Sequence, residues 1–445
     1  MKIIIAGAGE VGTHLARLLG QEDHDITLMD DDKVRLAVLK DNIDLLPFEG
    51  SCTSLSDLEK AGISNTDLFI GVTPEETKNI TGCMFASNLG AKKTLARIDN
   101  YEYLLPNNNS FFQKLGINSM IYPEMMAARE IVSAIKTPWT RVWWELSNRS
   151  VILTGAKIRD NAPIANRKLS ELVQEEKKFH IVAIKRNNYT IIPNGNDSIY
   201  PNDIIYFTTL QPYLNELPQL MGKRSYEMRN IIIMGGSRIS LRTAQSLPSH
   251  MNITIIEKDK EKAEMLLEKV PSNVMVIWGD GRDTDLLRSE SIEECDAFLA
   301  LTANSEANIL ACLTAKQFGV RKTVAEVENL AYIPMAENFD IGTVINKKMI
   351  AASKIYELLL QSDLANIKTL TISDASVGEI IAKPNSKVTK KLIKNLDMPN
   401  DITFGALIRN GDPMLIDGDT LIEPYDNVVV FFMSKSLKRL ESLFN

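Results

Sequence analysis

Cysteine and histidine are both scarce, four of each in 445 residues. Cys52, Cys83, Cys295 and Cys312 stand apart with no C-x-x-C spacing, which argues against a disulfide framework or a thiolate zinc site. They read as reduced, buried thiols of a cytosolic protein. No two histidines are spaced i,i+4, which leaves little for metal chemistry. Positive charge is not in excess either: 50 Lys and Arg against 57 Asp and Glu leave a net charge of -7. That balance argues against nucleic acid or an anionic bilayer as the main partner. Long apolar runs are missing. None approaches the roughly 18 residues that would span a bilayer, and residues 3–9 run straight into a strand and a glycine turn, unlike a secretory signal. We therefore expect a cytosolic protein with no direct membrane insertion, reaching a membrane only through a partner.

What the chain does contain is strand–helix alternation, twice. The run "IIIA" at 3–6 ends in glycine, as a central parallel strand covered on both faces would. A helical pattern follows (Val11, Leu15, Leu18, Leu19), then the strand "DITLMDDD", a strand at 67–73, a helix at 77–89 and a strand at 92–98. This is the pattern of a doubly wound α/β sheet. The series returns as "NIIIMGG", "NITIIEKD", "NVMVIWGD", "DAFLALT" and "KTVAEV". Gly7 maps to Gly235 and Thr73 to Thr302, shifts of 228 and 229, so the domain is duplicated. Each copy is followed by a β-rich segment, 181–207 and 402–432, with a hairpin, a Gly-bearing turn and Pro-x-Asp; Asp203 and Asp426 correspond. The fold class expected is α/β, two Rossmann-like parallel sheets each followed by a small β-rich α+β domain. The expected domains are 1–138, 139–225, 226–364 and 365–445, with linking helices near 121–136 and 345–361.

The chemistry concentrates at Gly7-Ala8-Gly9-Glu10-Val11-Gly12, between a strand and a helix. Gly7 allows the tight turn, Gly9 lets backbone approach a pyrophosphate, and Gly12 permits close helix–strand packing. The helix N-terminus offers N–H groups and partial positive charge to phosphates. Asp30 lies 18 residues after Gly12 at the end of the second strand, where a carboxylate reaches ribose hydroxyls and repels a 2′-phosphate. NAD or an adenosine nucleotide is thus favoured over NADP. Thr73 and Pro74 sit at the carboxyl edge of the sheet, as ligand contacts or as a helix N-cap. Arg97 inside an apolar strand needs a partner, either a phosphate or a structural carboxylate. Trp139, Trp143 and Trp144 read as a packing or interface cluster.

The ordered set "MKIIIAGAGEVG", "GVTPEETKNI", "LARIDNYEY", "YPE", "GDGRDTDLL", "ALTANSEANIL" and "IIPNG…YPND" resembles the TrkA family, which carries two tandem regulator-of-potassium-conductance (RCK) units, over nearly the whole chain. The resemblance implies a non-catalytic protein on the cytosolic, inner face of the plasma membrane. Such proteins form homo-oligomeric rings and couple NAD(H), ATP or ADP binding to an integral-membrane Trk potassium transporter subunit. It further implies that Gly7 through Val11 form the phosphate turn, Asp30 the ribose carboxylate, Thr73 and Pro74 an adenosine-side loop, and Arg97 a phosphate contact. In the second copy it places Gly235, Gly236, Ser237, Arg238 and Ile239 at the turn and Glu257 at the carboxylate. There the sequence departs from the pattern: Ser237 and Ser240 replace glycines, and Glu326 stands where Arg97 does.

Three functions are compatible with these residues. The first is the gating subunit just described. A free-standing nucleotide sensor for another channel or antiporter is the second. The third, an NAD-dependent oxidoreductase, needs a proton-transfer side chain facing a nicotinamide in a substrate domain, and neither β-rich segment offers an evident one. Ser237 would crowd an approaching pyrophosphate and Ser240 would loosen a helix–strand contact, while the serine hydroxyls and Arg238 still offer groups to a phosphate. The first turn is therefore expected to bind nucleotide well and the second to bind poorly or to serve mainly as ring scaffold.

Overall fold

The computed structural model describes residues 1–20, 24–37, 45–175, 178–187, 189–359, 364–369, 375–433 and 436–445. The chain divides into two compact units, 1–128 with 346–359, and 129–345 with 360–445.

The first unit is built on a six-stranded parallel sheet. Its strands are β1 (Lys2–Ala6), β2 (Asp25–Asp30), β3 (Leu46–Glu49), β4 (Leu68–Gly71), β5 (Lys93–Arg97) and β6 (Ser119–Ile121), in the order β3-β2-β1-β4-β5-β6. Ile3, Ile4 and Ile5 are fully buried, because helices cover both faces of β1. The strand order reverses between β1 and β4, which opens a crevice at their carboxyl ends, where ligands of such sheets bind. The helix Glu10–Leu19 turns Val11, Leu15 and Leu19 inward. Against it packs the helix Lys347–Leu359, which follows the second copy in sequence but belongs to this unit. The expected linking helices are found at Pro123–Lys136 and Lys347–Leu359; residues 360 and 361 lie outside the described residues. Among the described residues no helix is long and apolar enough to cross a membrane.

The second unit holds three sheets. An antiparallel one contains β7 (Val142–Leu146), β8 (Val151–Lys157), β9 (Phe179–Arg186), β10 (Tyr189–Ile191) and β11 (Ile204–Leu210), ordered β10-β9-β11-β8-β7. The parallel sheet of the second copy comprises β12 (Asn230–Met234), β13 (Asn252–Glu257), β14 (Val274–Trp278), β15 (Ala297–Ala300), β16 (Lys322–Glu326) and β17 (Thr343–Ile345). Its order, β14-β13-β12-β15-β16-β17, repeats the first copy strand for strand. The last sheet has β18 (Leu364–Thr369), β19 (Ala375–Ile381), β20 (Ile402–Arg409), β21 (Asp412–Leu415) and β22 (Asn427–Met433), ordered β18-β19-β22-β20-β21. This again matches its counterpart.

The two antiparallel sheets share one apolar core, with Trp144, Leu153, Val182 and Tyr206 from one and Val377, Ala406, Val429 and Phe431 from the other. Each carries a bulge at the same place, at Val182 and at Gly405. The two bulges meet. A Cβ on Gly405 would stand 3.0 Å from Val182 Cγ1 and 2.7 Å from Thr208 Cγ2, so only one of the paired positions has room for a side chain. The Thr208 hydroxyl donates to the Gly405 carbonyl at 2.8 Å across this junction. The repeated Pro-x-Asp motif has a structural cause: Arg186 grips buried Asp203 with two nitrogens, at 2.9 and 2.8 Å, and Arg409 grips Asp426 at 3.0 and 2.8 Å. Of the three neighbouring tryptophans, Trp139 and Trp144 are packing groups, but they enter two different cores and do not form one cluster. Trp139 stacks on Phe207 with ring centroids 6.4 Å apart, and Trp144 lies in the shared core.

Candidate functional site

The first glycine turn begins where β1 ends. Gly7 has φ +116°, and a Cβ there would lie 2.9 Å from the Thr73 nitrogen, so both conformation and space demand glycine. A Cβ on Gly12 would stand 1.9 Å from the Gly7 carbonyl oxygen, so the helix approaches the turn as closely as backbone allows. Gly9 is different. It is the N-cap of the helix Glu10–Leu19, makes no side-chain cap, and its Cβ direction meets nothing within 4 Å. The helix therefore opens onto space with its first N–H groups uncapped by a side chain, the arrangement that accepts an anion.

Asp30, buried at the end of β2, accepts from the Ala8 N–H at 2.6 Å with Oδ2 and from the Asp32 N–H at 2.9 Å with Oδ1. The carboxylate thus fastens the turn, and each oxygen retains a second lone-pair site for a further donor. A cavity of about 170 Å³ lies beside it, lined by Gly7, Asp30, Thr73 and Pro74 among the expected residues. Ala8 joins through its N–H, while Gly9, Glu10, Val11 and Gly12 form the adjoining helix N-terminus.

The cavity also uses residues the sequence reading passed over: Asp31, Arg35, Ser51, Cys52, Glu75 and Lys78. Lys78 lies 2.8 Å from Glu75 and 3.7 Å from Asp31, and its hydrogen bond to Glu75 raises its pKa. Arg35 lies 3.9 Å from Asp30 and 3.3 Å from Asp32. Burial pushes the Cys52 thiol up to about 11, so it is a packing wall and not a nucleophile.

Thr73 and Arg97 both have partners within the chain. Thr73 is not the N-cap of its helix; Glu75 is, and the Thr73 hydroxyl accepts from the Glu75 N–H at 3.3 Å. The loop is fixed by Asn79, which accepts from the Thr73 N–H at 2.8 Å and donates to the Thr73 and Arg97 carbonyls at 3.0 and 2.9 Å. Asn308 repeats the clamp on Thr302 and Glu326. The T-x5-N spacing, present in both copies, was the available signal. Arg97 does not line the cavity. Its guanidinium lies 3.7 Å from Asp99 and 3.8 Å from Glu124, so structural carboxylates are its partners here.

The second turn corrects one expectation. Ser240 does not loosen the helix: its hydroxyl donates to the Gly235 carbonyl at 2.6 Å, binding the group that a Cβ at Gly12 would strike in the first copy. Ser237 is the N-cap of the helix Arg238–Ser246, and its hydroxyl accepts from the Ser240 N–H at 3.2 Å. The turn closes on its own side chains. Glu257 keeps the carboxylate role, accepting from Gly236 at 2.6 Å and Asp259 at 2.9 Å. Burial pushes its pKa up, but those two N–H groups and Lys262 outweigh it and hold the group below its ordinary value. A Cβ on Gly236 would strike Leu266 Cδ1 at 2.2 Å, so a side chain fills the space beside this turn. Ile239 is buried on the following helix, next to Arg238 at its start, and Glu326 is buried at the end of β16.

Residues 3–123 and 231–347 match the TrkA-N domain, and 153–222 and 377–445 match the TrkA-C domain. The chain is 30% identical over 452 residues to the Trk system potassium uptake protein TrkA of Haemophilus influenzae, covering 100% of this chain and 98% of the relative. It belongs to the TrkA family. The TrkA homolog 1 of Methanosarcina mazei is 27% identical over 453 residues, each chain covered in full. Among solved structures, the GsuK RCK domain superposes with a TM-score of 0.62 at 14% identity, covering 100% of this chain and 94% of that one. The GsuK channel bound to NAD gives 0.62 at 14%, covering 100% and 78%. The tandem arrangement of this TrkA family member is thus an RCK fold, duplicated within one polypeptide.

Proposed function

We propose that this protein is a cytosolic regulatory subunit that binds an adenine nucleotide at its first glycine turn and signals occupancy to an integral-membrane Trk potassium transporter subunit. The observation carrying this reading is the contrast between the two turns. One has an uncapped helix start beside a buried Asp30 and a cavity; the other is closed by Ser237 and Ser240. The nucleotide is NAD(H), ATP or ADP rather than NADP, because Asp30 faces the ribose position with negative charge. The GsuK channel has been solved bound to NAD and GsuK bound to ADP, which supports the same ligand class.

In this reading Gly7, Ala8, Gly9, Glu10, Val11 and Gly12 cradle the phosphates, Asp30 takes the ribose, and Thr73 and Pro74 flank the adenosine. Gly235, Gly236, Ser237, Arg238, Ile239 and Glu257 are the scaffold copy. The protein works at the inner face of the membrane as a homo-oligomeric ring, and ligand shifts the ring only as far as its affinity differs between the ring's states. Calorimetric titration of NADH, NAD, ATP and ADP tests it. One nucleotide per chain is expected, lost in Asp30→Ala; two equal sites per chain, or unchanged affinity in the variant, would overturn it.

A further inference from the structure

We propose that Lys348, contributed by the helix that follows the second copy, is a diphosphate-binding residue of the first copy's turn, kept at the site by Glu10. The inference rests on the nucleotide reading of that turn and adds a residue to it from 338 positions away.

Lys348 is the second residue of the helix Lys347–Leu359, which packs against the helix Glu10–Leu19. Its ammonium is ion-paired with the carboxylate of Glu10, the first residue after the uncapped Gly9. Glu10 by itself is an awkward neighbour for phosphates, a negative charge at the mouth of an anion-accepting turn. Lys348 cancels it. The pair is exposed on the Glu10 side, at 58%, and largely covered on the lysine side, at 22%. Such a pair is held weakly, so exchanging one carboxylate for a diphosphate carrying more charge is favourable. The flexible four-carbon stem lets the ammonium move to the phosphates without moving the helix.

The charges around this position have been inverted between the copies. Glu124 is the second residue of the first linking helix and pairs with Arg97 at the end of β5. In the second copy the corresponding positions are Lys348 and Glu326. The lysine is therefore not a retained copy of Glu124 but its opposite, placed where the helix meets a phosphate turn. The first-copy site is incomplete without the second copy's helix, which gives bound nucleotide a direct hold on an element from the other half of the chain.

The test uses the full chain and two probes, ADP and adenosine, titrated against wild type, Lys348→Gln, Lys348→Arg, Glu10→Gln and Asp30→Ala. Loss of one charge-assisted contact predicts roughly tenfold weaker ADP binding in Lys348→Gln with adenosine unchanged. Lys348→Arg should recover most of the loss, and Glu10→Gln should bind ADP more tightly than wild type. Wild-type ADP affinity in Lys348→Gln, or equal weakening of ADP and adenosine, overturns the proposal and assigns Lys348 to helix packing. If Asp30→Ala still abolishes both ligands in that case, the nucleotide reading stands without Lys348. A wild type that binds neither probe overturns both.

Discussion

Replacing Gly9 with alanine separates ligand approach from fold at the first turn. Gly9 sits at φ -72° and ψ -176°, extended backbone open to any residue, and the new methyl would meet no protein atom within 4 Å. Two small effects oppose each other in the folded protein. Alanine narrows the unfolded ensemble, worth about 0.4–1 kcal/mol, and is a poorer N-cap than glycine by a comparable amount. Stability should therefore stay within about 0.5 kcal/mol of wild type. The ligand has no such latitude. Phosphate oxygens must come within about 3 Å of the turn's N–H groups to be held, and a methyl on the Gly9 Cα occupies that approach. Losing one or two charge-assisted hydrogen bonds, about 1.5–3 kcal/mol each, weakens binding tenfold or more. Gly12→Ala is the counterpart: with 1.9 Å to the Gly7 carbonyl, overpacking should cost about 1–3 kcal/mol and damage fold and binding together. Urea midpoints and calorimetric titration with ADP, run on both variants, read the two effects. Wild-type affinity in Gly9→Ala would refute the placement of phosphates at this turn.

Asn79→Ala strands the Thr73 N–H and two carbonyls, and Asn308→Ala does the same in the second copy. Each should lower stability by about 2–3 kcal/mol in urea unfolding, but only Asn79→Ala should weaken nucleotide binding. Arg186→Ala leaves Asp203 buried without its two-pronged partner, so a loss of about 2–4 kcal/mol is expected, matched by Arg409→Ala at Asp426. Lys322 is buried, donates to the Thr140 carbonyl at 2.9 Å and faces Arg141 and Lys316; burial first, then those charges, push its pKa down to about 7. Between that value and the unfolded one near 10.5 the unfolded chain holds a proton the folded one lacks, so stability rises with pH across this window. Lys322→Met should flatten the rise in urea midpoints between pH 7 and 9, and an unchanged slope would place the titration elsewhere.

The duplication and the first turn were legible because they are written in local signals: apolar runs, glycines at fixed offsets, an acid at the end of β2. β3 was not, and the reason is visible in its residues. Leu46 and Pro47 are exposed on an edge strand of four residues, and proline removes the propensity signal a strand reader relies on. The role of Ser240 was misjudged because a serine reads as added bulk. Its hydroxyl bonding back to Gly235 is a property of geometry that composition does not encode. Arg97 could be narrowed to two kinds of partner, since a buried cation needs one, but finding Asp99 and Glu124 beside it required knowing how β5 meets the linking helix. Lys348 lay furthest from reach, because nothing in the sequence says that its helix returns to the first copy.

The core shared by the two antiparallel sheets also sets a timetable for synthesis. The first sheet is complete at Leu210, while its covering strand β19 begins at Ala375. The difference, 375 minus 210, is 165 residues. At about 5–20 residues per second, the nascent chain spends roughly 8–33 s with the face around Trp144, Leu153 and Val182 built but uncovered. During that interval the face is open to apolar contact with the same face on a neighbouring nascent chain, a poorer fit, because Val182 would then meet Val182 where only one side chain has room. Ribosomes queued on one message would present such faces side by side, and each chain must outlast that wrong partner until its own second half arrives.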